Sequence, residues 1–469
     1  MLLPVQNYDI HTLHFTFFLC IAPVLVAAVL YYRRLQDGLE YKLLLLYWLW
    51  FWFSRALNGS PLLDHDFRIF FDLSLMIPFF AFGSALTKAE RHRFLDWLSA
   101  VFGGFYFIFG LIALYAFLHR SMYEIPMMGE IGIIREASYA RISFFGIHPN
   151  TSGYWYLISL FLMIYQFFHC KRKLWRIPIL LSAALDLVII AITYSRSVRL
   201  CMAMAFALLA AVLLLRALQK RPCFLRMSIA FLGAVLVLVA SYEGSGLCAD
   251  VLATLSYEIT DMRPASESAE QSVTEEAELA DGGISVHLTQ LSSEKNELPG
   301  AVNLRDGLVQ SDPRPTSGDL NDLSSNRIEI WRAAFQAITM NPSVLWRGQF
   351  CDDVMTVTHS IMGPDVPGGP PLHFHNALLQ ILMTTGLPGL ILASAFLLLV
   401  FCKAFRSLFC SRIPLDDRLL TLPVLTVLPR IMLEATLFSD TNVRTLFFFL
   451  MCGMTIGFTR EYRQRKDVD

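Results

Sequence analysis

The sequence Pro371-Leu372-His373-Phe374-His375-Asn376 leads directly into an apolar run from Ala377 to Phe405, which Thr384-Thr385-Gly386-Leu387-Pro388-Gly389 interrupts. This run is longer than the roughly 20 residues that span a bilayer core, and its Gly and Pro disfavour one straight helix. We therefore expect a short helix, a kink and then a crossing. His373 and His375 lie where a long polar segment meets the membrane.

The composition places the whole chain in the membrane class. The hydrophobic fraction is 55% and the charged fraction is 16% over 469 residues, which exceeds what a soluble chain of this size carries. Apolar runs alternate with short basic turns, and acidic residues collect in one long loop. The sequence predicts an all-α polytopic membrane protein with about 11–12 transmembrane helices and one long extracytoplasmic loop that contains a short amphipathic helix.

Eleven membrane spans follow from the apolar runs. They are predicted at 13–32, 41–54, 67–86, 94–118, 150–169, 175–194, 197–217, 223–242, 376–404, 418–438 and 444–459. Every second turn between them is basic, which indicates the cytoplasmic side. The amino terminus is expected outside, the carboxy terminus inside, and the protein in the cytoplasmic membrane with its active face outside.

The predicted domains follow from this layout. They are an N-terminal transmembrane bundle at 1–242, an acidic insert at 243–325, a catalytic-loop region at 326–375 and the C-terminal transmembrane helices at 376–469. The insert contains sixteen Asp or Glu and four Lys or Arg, which is typical of a solvated, disordered segment.

The catalytic-loop region begins with a predicted amphipathic helix. Apolar residues recur at helical spacing, Asn326 is suited to cap the helix, and Asn341-Pro342 ends it. The apolar residues are Ile328, Trp331, Ala334, Phe335 and Ile338.

Arginine outside the membrane opposes the usual inside bias, so each outer arginine next to a span needs a reason. Arg196 and Arg199 lie at the outer end of a span, and Arg327 and Arg332 lie on the amphipathic helix. Either these residues anchor the interface or their guanidinium groups bind a phosphate, for which planar bidentate donors are well suited.

His375 and His373 are candidates for proton transfer, since the pKa of an unperturbed imidazole is roughly 6.5. Within the spans Asp72, Asp186, Arg430 and Glu434 need an explanation, because an unpaired charge in hydrocarbon costs at least about 2.5 kcal/mol. Arg430 and Glu434 are four residues apart and can pair on one helix face.

Several chemistries are disfavoured by the absence of their sequence motifs. The chain has no Walker loop, dinucleotide-binding fingerprint, GxSxG or HExxH motif, and its nine cysteines form no CxxC pair. We expect no metal, no cofactor and no nucleic-acid partner. A disulfide between Cys248 and Cys351 is open.

Four short stretches, in this order, resemble the superfamily of O-antigen ligases and O-antigen polymerases. The first two are Gly146-Ile147-His148-Pro149-Asn150 and Thr193-Tyr194-Ser195-Arg196. The third is Arg327 followed by Trp331 and Asn341-Pro342, and the fourth is His375-Asn376 with Gly386-Leu387-Pro388-Gly389. The resemblance extends from about Arg141 to Gly389.

The resemblance implies a metal-independent membrane glycosyltransferase. Its donor would be a polyprenyl-diphosphate-linked glycan, and its acceptor a glycan or glycolipid on the outer face. Arg196 and Arg327 would bind the diphosphate, with Arg199 and Arg332 as further candidates, and His375 would be the base.

The chain departs from the family in two respects. Eleven spans are predicted where twelve are common in the family, and the acidic insert is not typical of it. Ligase is favoured slightly over polymerase. A flippase for the same lipid-linked glycan is the rival from another class, although no internal repeat or midplane row of ionisable residues supports it.

Overall fold

The computed structural model describes residues 38–58, 64–125, 129–136, 139–144, 149–261, 327–349, 361, 374–434 and 443–466. The helices in these ranges are α1 Leu39–Leu57, α2 Asp64–Ala85, α3 Lys88–Leu118, α4 Pro149–His169, α5 Arg176–Ile192, α6 Arg196–Ala217, α7 Cys223–Asp261, α8 Arg327–Met340, α9 Val344–Arg347, α10 Ala377–Phe409, α11 Leu415–Leu419, α12 Leu422–Leu425, α13 Leu428–Leu433 and α14 Val443–Lys466.

The all-α polytopic membrane class is confirmed. Among the described residues, five helical stretches are long and apolar enough to cross a bilayer: Lys88–Leu118, Lys173–Ile192, Arg196–Ala217, Cys223–Ser256 and Ala377–Phe409. The spans predicted between 41 and 242, and those at 376–404 and 444–459, each lie on a helix. The span predicted at 13–32 lies outside the described residues.

α4 is the central helix of the bundle. Its residues from Ser152 to Tyr165 are buried on every side, and it packs against α3, α5 and α6. α7 is the opposite case, because Phe224, Phe231 and Leu232 are 85%, 72% and 60% exposed, which suits contact with lipid. The position of α4 agrees with its sequence, because a helix that is apolar all round belongs in the core of a bundle.

The predicted span at 418–438 is wrong as a single helix. Three short helices, α11 to α13, occupy residues 415–433. Pro414 precedes α11, and Pro423 and Pro429 stand at the starts of α12 and α13. Proline lacks the N–H that a continuous helix requires, so each short helix starts anew.

α7 extends to Asp261, beyond the predicted end at 242. The boundary predicted near residue 243 therefore falls within a helix. Leu247, Val251 and Leu255 recur at helical spacing there, and the Ser256 hydroxyl donates to the Phe117 carbonyl at 2.9 Å. The rest of the predicted acidic insert lies outside the described residues, as does Cys351.

A three-stranded antiparallel sheet lies between α3 and α4, in a segment for which no strand was predicted. Its strands are β1 Met122–Ile125, β2 Gly129–Glu136 and β3 Tyr139–Phe144, in the order β1-β2-β3. Ile131 pairs with Phe144, and both side chains are buried. The Phe144 N–H donates to the Ser152 hydroxyl at 3.2 Å, which fixes the sheet to the start of α4.

Candidate active site

His375 lies directly before the capping residue of α10, in a strained backbone conformation. Asn376 caps the helix, because its side chain accepts the Leu379 N–H at 3.0 Å. His375 itself has a φ of +49°. Left-handed backbone costs an L-residue about 1–2 kcal/mol, so the surrounding structure must impose this conformation.

The residue before His375 is fixed at both of its backbone polar groups. The Phe374 N–H donates to Gln380 Oε1 at 3.2 Å, and its carbonyl accepts from Trp331 Nε1 at 2.8 Å. The Phe374 ring is fully buried. The backbone and ring of Phe374 are therefore held in place directly before His375.

α8 supplies this support through a small hydrophobic cluster with the start of α10. The cluster includes Ile330, Ala334, Ile338, Phe374 and Met383. Its members Ala334 and Ala337 are small, which permits α8 to lie close to α10. The predicted helix is thus confirmed.

One member of the predicted apolar face of α8 is misplaced. Phe335 is 56% exposed, because the buried face turns through Ala333, Ala334 and Ala337 instead.

Arg327 begins α8 and lies one turn before Trp331 on the same helix face. Since Trp331 bonds to the residue preceding His375, the structure brings Arg327 and His375 to the same end of the α8–α10 contact. Arg332, by contrast, is exposed.

The kink in α10 interlocks with the turn after α9. Gly386 has φ +71° and ψ −176°, and Gly348 has φ +68° and ψ −175°. A Cβ on Gly386 would lie 2.5 Å from the Trp346 carbonyl oxygen. The Gln349 N–H donates to the Met383 carbonyl at 2.8 Å. Only glycine fits where the two backbones meet at this distance and conformation.

α1 satisfies the carbonyls that the kink exposes. Pro388 has no N–H for the Thr384 carbonyl, and Arg55 donates to that oxygen at 3.4 Å. Arg55 also donates to the Gln349 carbonyl at 3.2 Å, and Trp50 Nε1 donates to the Thr385 carbonyl at 2.7 Å.

Arg55 is 3% exposed and was missed in the sequence, where it stands at the end of an apolar run. The sequence around Arg55 does not indicate this contact, because the Thr384 carbonyl that accepts from it is 329 residues away.

The second half of the site is the corner between α5 and α6. Tyr194 has a φ of +51°, and the Ser195 hydroxyl caps α6 by accepting the Val198 N–H. Arg196 is the first residue of α6 and is half-buried. The tight corner thus presents Arg196 at the positive end of a helix, where an anion is stabilised.

Glu434 joins this corner to the start of α4. Its Oε1 accepts from Ser197 Oγ and from Asn150 Nδ2, both at 3.3 Å. Asn150 belongs to the first of the four motifs and Ser197 follows the second. The structure thus brings together the ends of two stretches that were related in the sequence only by their resemblance to the family.

The pairing of Arg430 with Glu434 on one helix face is not the observed geometry. α13 ends at Leu433, and Glu434 has extended backbone with φ −142°. The Arg430 guanidinium lies 3.7 Å from the centre of the Tyr154 ring. Asp186 is fully buried, and the side chain of Asp72 lies outside the description.

Arg444, at the start of α14, is 5% exposed and was also missed. It is the first residue of the span predicted at 444–459, and it was not named among the ionisable residues within the spans.

Arg199 points away from the Arg196 corner. Its guanidinium donates to the Tyr242 carbonyl at 2.8 Å and lies 4.7 Å from the centre of the Tyr242 ring. The residue therefore holds α6 against α7.

α13 packs against both α6, which begins at Arg196, and α10, which begins two residues after His375. His373 and His148 lie outside the described residues.

Comparison with known proteins adds a family to this geometry. Residues 179–394 match a protein-family model described as O-antigen ligase. The match contains the Arg196 corner, α8, His375 and the Gly386 kink, whereas Asn150 lies before it. A search of curated proteins finds no relative of this chain. The predicted resemblance to the O-antigen ligase superfamily is confirmed.

Proposed function

We propose that this multi-pass membrane protein transfers a lipid-linked glycan to an acceptor hydroxyl outside the cytoplasmic membrane. The proposal is supported by the match of residues 179–394 to a family model described as O-antigen ligase. The family indicates a membrane glycosyltransferase-type enzyme of the ligase or polymerase kind. The donor in this proposal is a glycan on a polyprenyl diphosphate.

The fixed position of His375 is the observation that carries the proposal. The left-handed backbone of His375 costs stability. The residue before it, Phe374, is fixed by a buried ring and by hydrogen bonds to Gln380 and Trp331. A histidine with only a packing role has no need of this support.

In the proposed reaction His375 takes the proton of the acceptor hydroxyl. The acceptor oxygen then forms a bond to the anomeric carbon of the donor glycan, while the bond from that carbon to the diphosphate oxygen breaks. The lipid diphosphate leaves with the electron pair, and the proton remains on the imidazole.

Arg196 and Arg327 are proposed to bind the departing diphosphate. Negative charge increases on this group as the bond breaks, and fixed guanidinium donors stabilise it more in the transition state than in the ground state. Glu434 positions the Arg196 corner through Ser197. We assign neither Arg199, which bonds to α7, nor the exposed Arg332 to the diphosphate.

Replacing His375 by alanine tests the base. In a strain that lacks the native gene product, His375→Ala is expected to abolish glycan transfer at normal expression while the lipid-linked donor accumulates. His119→Ala is the matched control and is expected to keep transfer, because His119 is the C-cap of α3 and is not among the residues assigned to the site. Unchanged transfer in His375→Ala refutes the base assignment.

The same strain separates the two activities. We favour ligase, for which the accumulated donor carries long glycan chains; a donor with a single repeat unit identifies a polymerase.

Lysine substitutions test the arginines. Arg196→Lys and Arg327→Lys keep the charge but lose the planar pair of donors, so we expect poor transfer from both. Full activity of the lysine variants would show that no bidentate contact is made.

A further inference from the structure

A second polar cluster lies at the other end of the bundle from His375. It consists of His92 near the start of α3, His169 at the end of α4 and Asp416 in α11, and we call it the His92 cluster. One ligand atom from each residue lies within 4.8 Å of the others. The 21 residues of α4 separate it from the Glu434 contact by about 30 Å.

The donor atoms of the His92 cluster lie close to the separation that a shared ion requires. His169 Nδ1 and Asp416 Oδ2 form a hydrogen bond of 3.1 Å. Two ligands that bind one tetrahedral ion with bonds of about 2.0–2.2 Å are about 3.3–3.6 Å apart. This pair therefore needs to separate only slightly to bind an ion in place of the hydrogen-bonded proton.

The orientation of His92 leaves a ring nitrogen available. Its Nδ1 is 2.6 Å from the Tyr165 hydroxyl, whereas its Nε2 makes no hydrogen bond among the described residues. Metal-binding histidines commonly use one nitrogen for a hydrogen bond that orients the ring and the other for the ion.

Asp417 supplies a second unsatisfied atom beside His92 Nε2. Its Oδ1 lies 3.4 Å from that nitrogen, is fully buried and has no hydrogen-bond partner within the described ranges. The other oxygen of Asp417 accepts from Tyr462 at 2.9 Å. Two buried polar atoms without hydrogen bonds thus face each other next to the His169–Asp416 pair.

The charges around the His92 cluster favour a cation. Three carboxylates contact its histidines: Asp96, Asp416 and Asp417. Among the described residues, Lys88 and Arg91 are the cations that contact these carboxylates, and Arg91 also pairs with Glu461. With neutral histidines the negative charges outnumber the positive ones, and a bound cation would offset the difference.

The rings of His92 and His169 are stacked, with centres 4.7 Å apart and planes 12° from parallel. One ring must tilt for both lone pairs to converge on an ion. The χ2 torsion of histidine has a broad energy minimum, which permits such a tilt.

We propose that the His92 cluster binds a divalent transition-metal ion, with His92, His169 and Asp416 as ligands. Two imidazoles and a carboxylate suit Zn²⁺ and its neighbours rather than Mg²⁺ or Ca²⁺, which prefer oxygen ligands. The ion joins the ends of α3, α4 and α11, at the end of the bundle that carries the predicted cytoplasmic basic turns.

The test uses the full chain, purified in detergent, stripped with a chelator and titrated with Zn²⁺ alone. We expect one Zn²⁺ per chain by elemental analysis and a rise in the melting temperature on its addition. His92→Gln and Asp416→Asn should each weaken Zn²⁺ binding by about 10-fold or more, and Tyr165→Phe should weaken it through the ring orientation of His92. His119→Gln is the control and binds as the wild type does.

Two results overturn the proposal. One is that the stripped wild-type chain takes up no Zn²⁺ at micromolar concentrations, which would leave the cluster as a hydrogen-bonded His–Asp pair. The other is that His92→Gln, His169→Gln and Asp416→Asn bind Zn²⁺ as the wild type does. If these three variants fail to fold, the wild-type titration and Tyr165→Phe decide.

Discussion

Replacing Gly386 by alanine tests whether the kink in α10 is a built feature of the site. Gly386 has φ +71° and ψ −176°, a conformation that only glycine adopts readily and that costs other residues about 1–3 kcal/mol. The new Cβ would also lie 2.5 Å from the Trp346 carbonyl oxygen. Overpacking against backbone adds about 1–3 kcal/mol. The expected loss of stability is thus about 2–6 kcal/mol.

The matched control is Gly104→Ala. Gly104 lies inside α3, and a Cβ built there meets nothing within 4 Å. Alanine exceeds glycine in helix propensity by about 1 kcal/mol, so this variant should melt at or above the wild-type temperature. The pair differs in the backbone conformation of the glycine and in what surrounds the added methyl group.

Thermal unfolding in detergent is the measurement, followed with a thiol-reactive fluorophore. Cys201 and Cys452 are buried and react only when the fold opens. At about 2 °C per kcal/mol, Gly386→Ala should lower the melting temperature by at least about 4 °C. Equal melting temperatures for Gly386→Ala and Gly104→Ala would refute the interlocked geometry.

Two further predictions concern single hydrogen bonds. Trp331→Phe removes the donor to the Phe374 carbonyl, which costs about 1–3 kcal/mol. It should lower kcat for glycan transfer about 5-fold or more with little change in KM. A kcat within twofold of the wild type would contradict the positioning of His375. Arg199→Met should lower the melting temperature, because Arg199 bonds the Tyr242 carbonyl and a hydrogen bond from a charged group contributes about 1.5–3 kcal/mol; an unchanged melting temperature would argue against this helix–helix contact.

Hydropathy and charge predicted much of the bundle, because a bilayer imposes one period and one length on each span. α4 and α6 begin within one residue of their predicted starts. The same reasoning failed at residues 415–433, where the apolar composition is that of a span but Pro423 and Pro429 divide the segment into short helices. Average hydropathy over a window does not register a missing N–H.

The site residues show a similar division. His375 and Arg327 were predicted because each lies in a short local motif, and their roles remain proposals. Arg55 was not found, because its function depends on carbonyls of Gln349 and Thr384, far along the chain. The His92 cluster escaped for the same reason, since His169 and Asp416 are 247 residues apart. Ligand spacing in sequence identifies only sites that one segment builds.

The strained residues of the site share one physical principle. Gly386 and Pro388 disrupt the α10 backbone, and a carbonyl left bare in a membrane costs several kcal/mol. Side chains of α1 supply the missing donors. In the same way, Trp331 and Gln380 form hydrogen bonds with the backbone of Phe374, next to the left-handed His375. Irregular backbone inside a membrane persists only where buried donors and acceptors are provided for it. Replacing Arg55 or Trp50 is therefore expected to destabilise the kink in α10. Arg55 therefore supports the backbone of the site through the carbonyls of Gln349 and Thr384. None of its hydrogen bonds described above is to His375 or to the arginines proposed to bind the diphosphate.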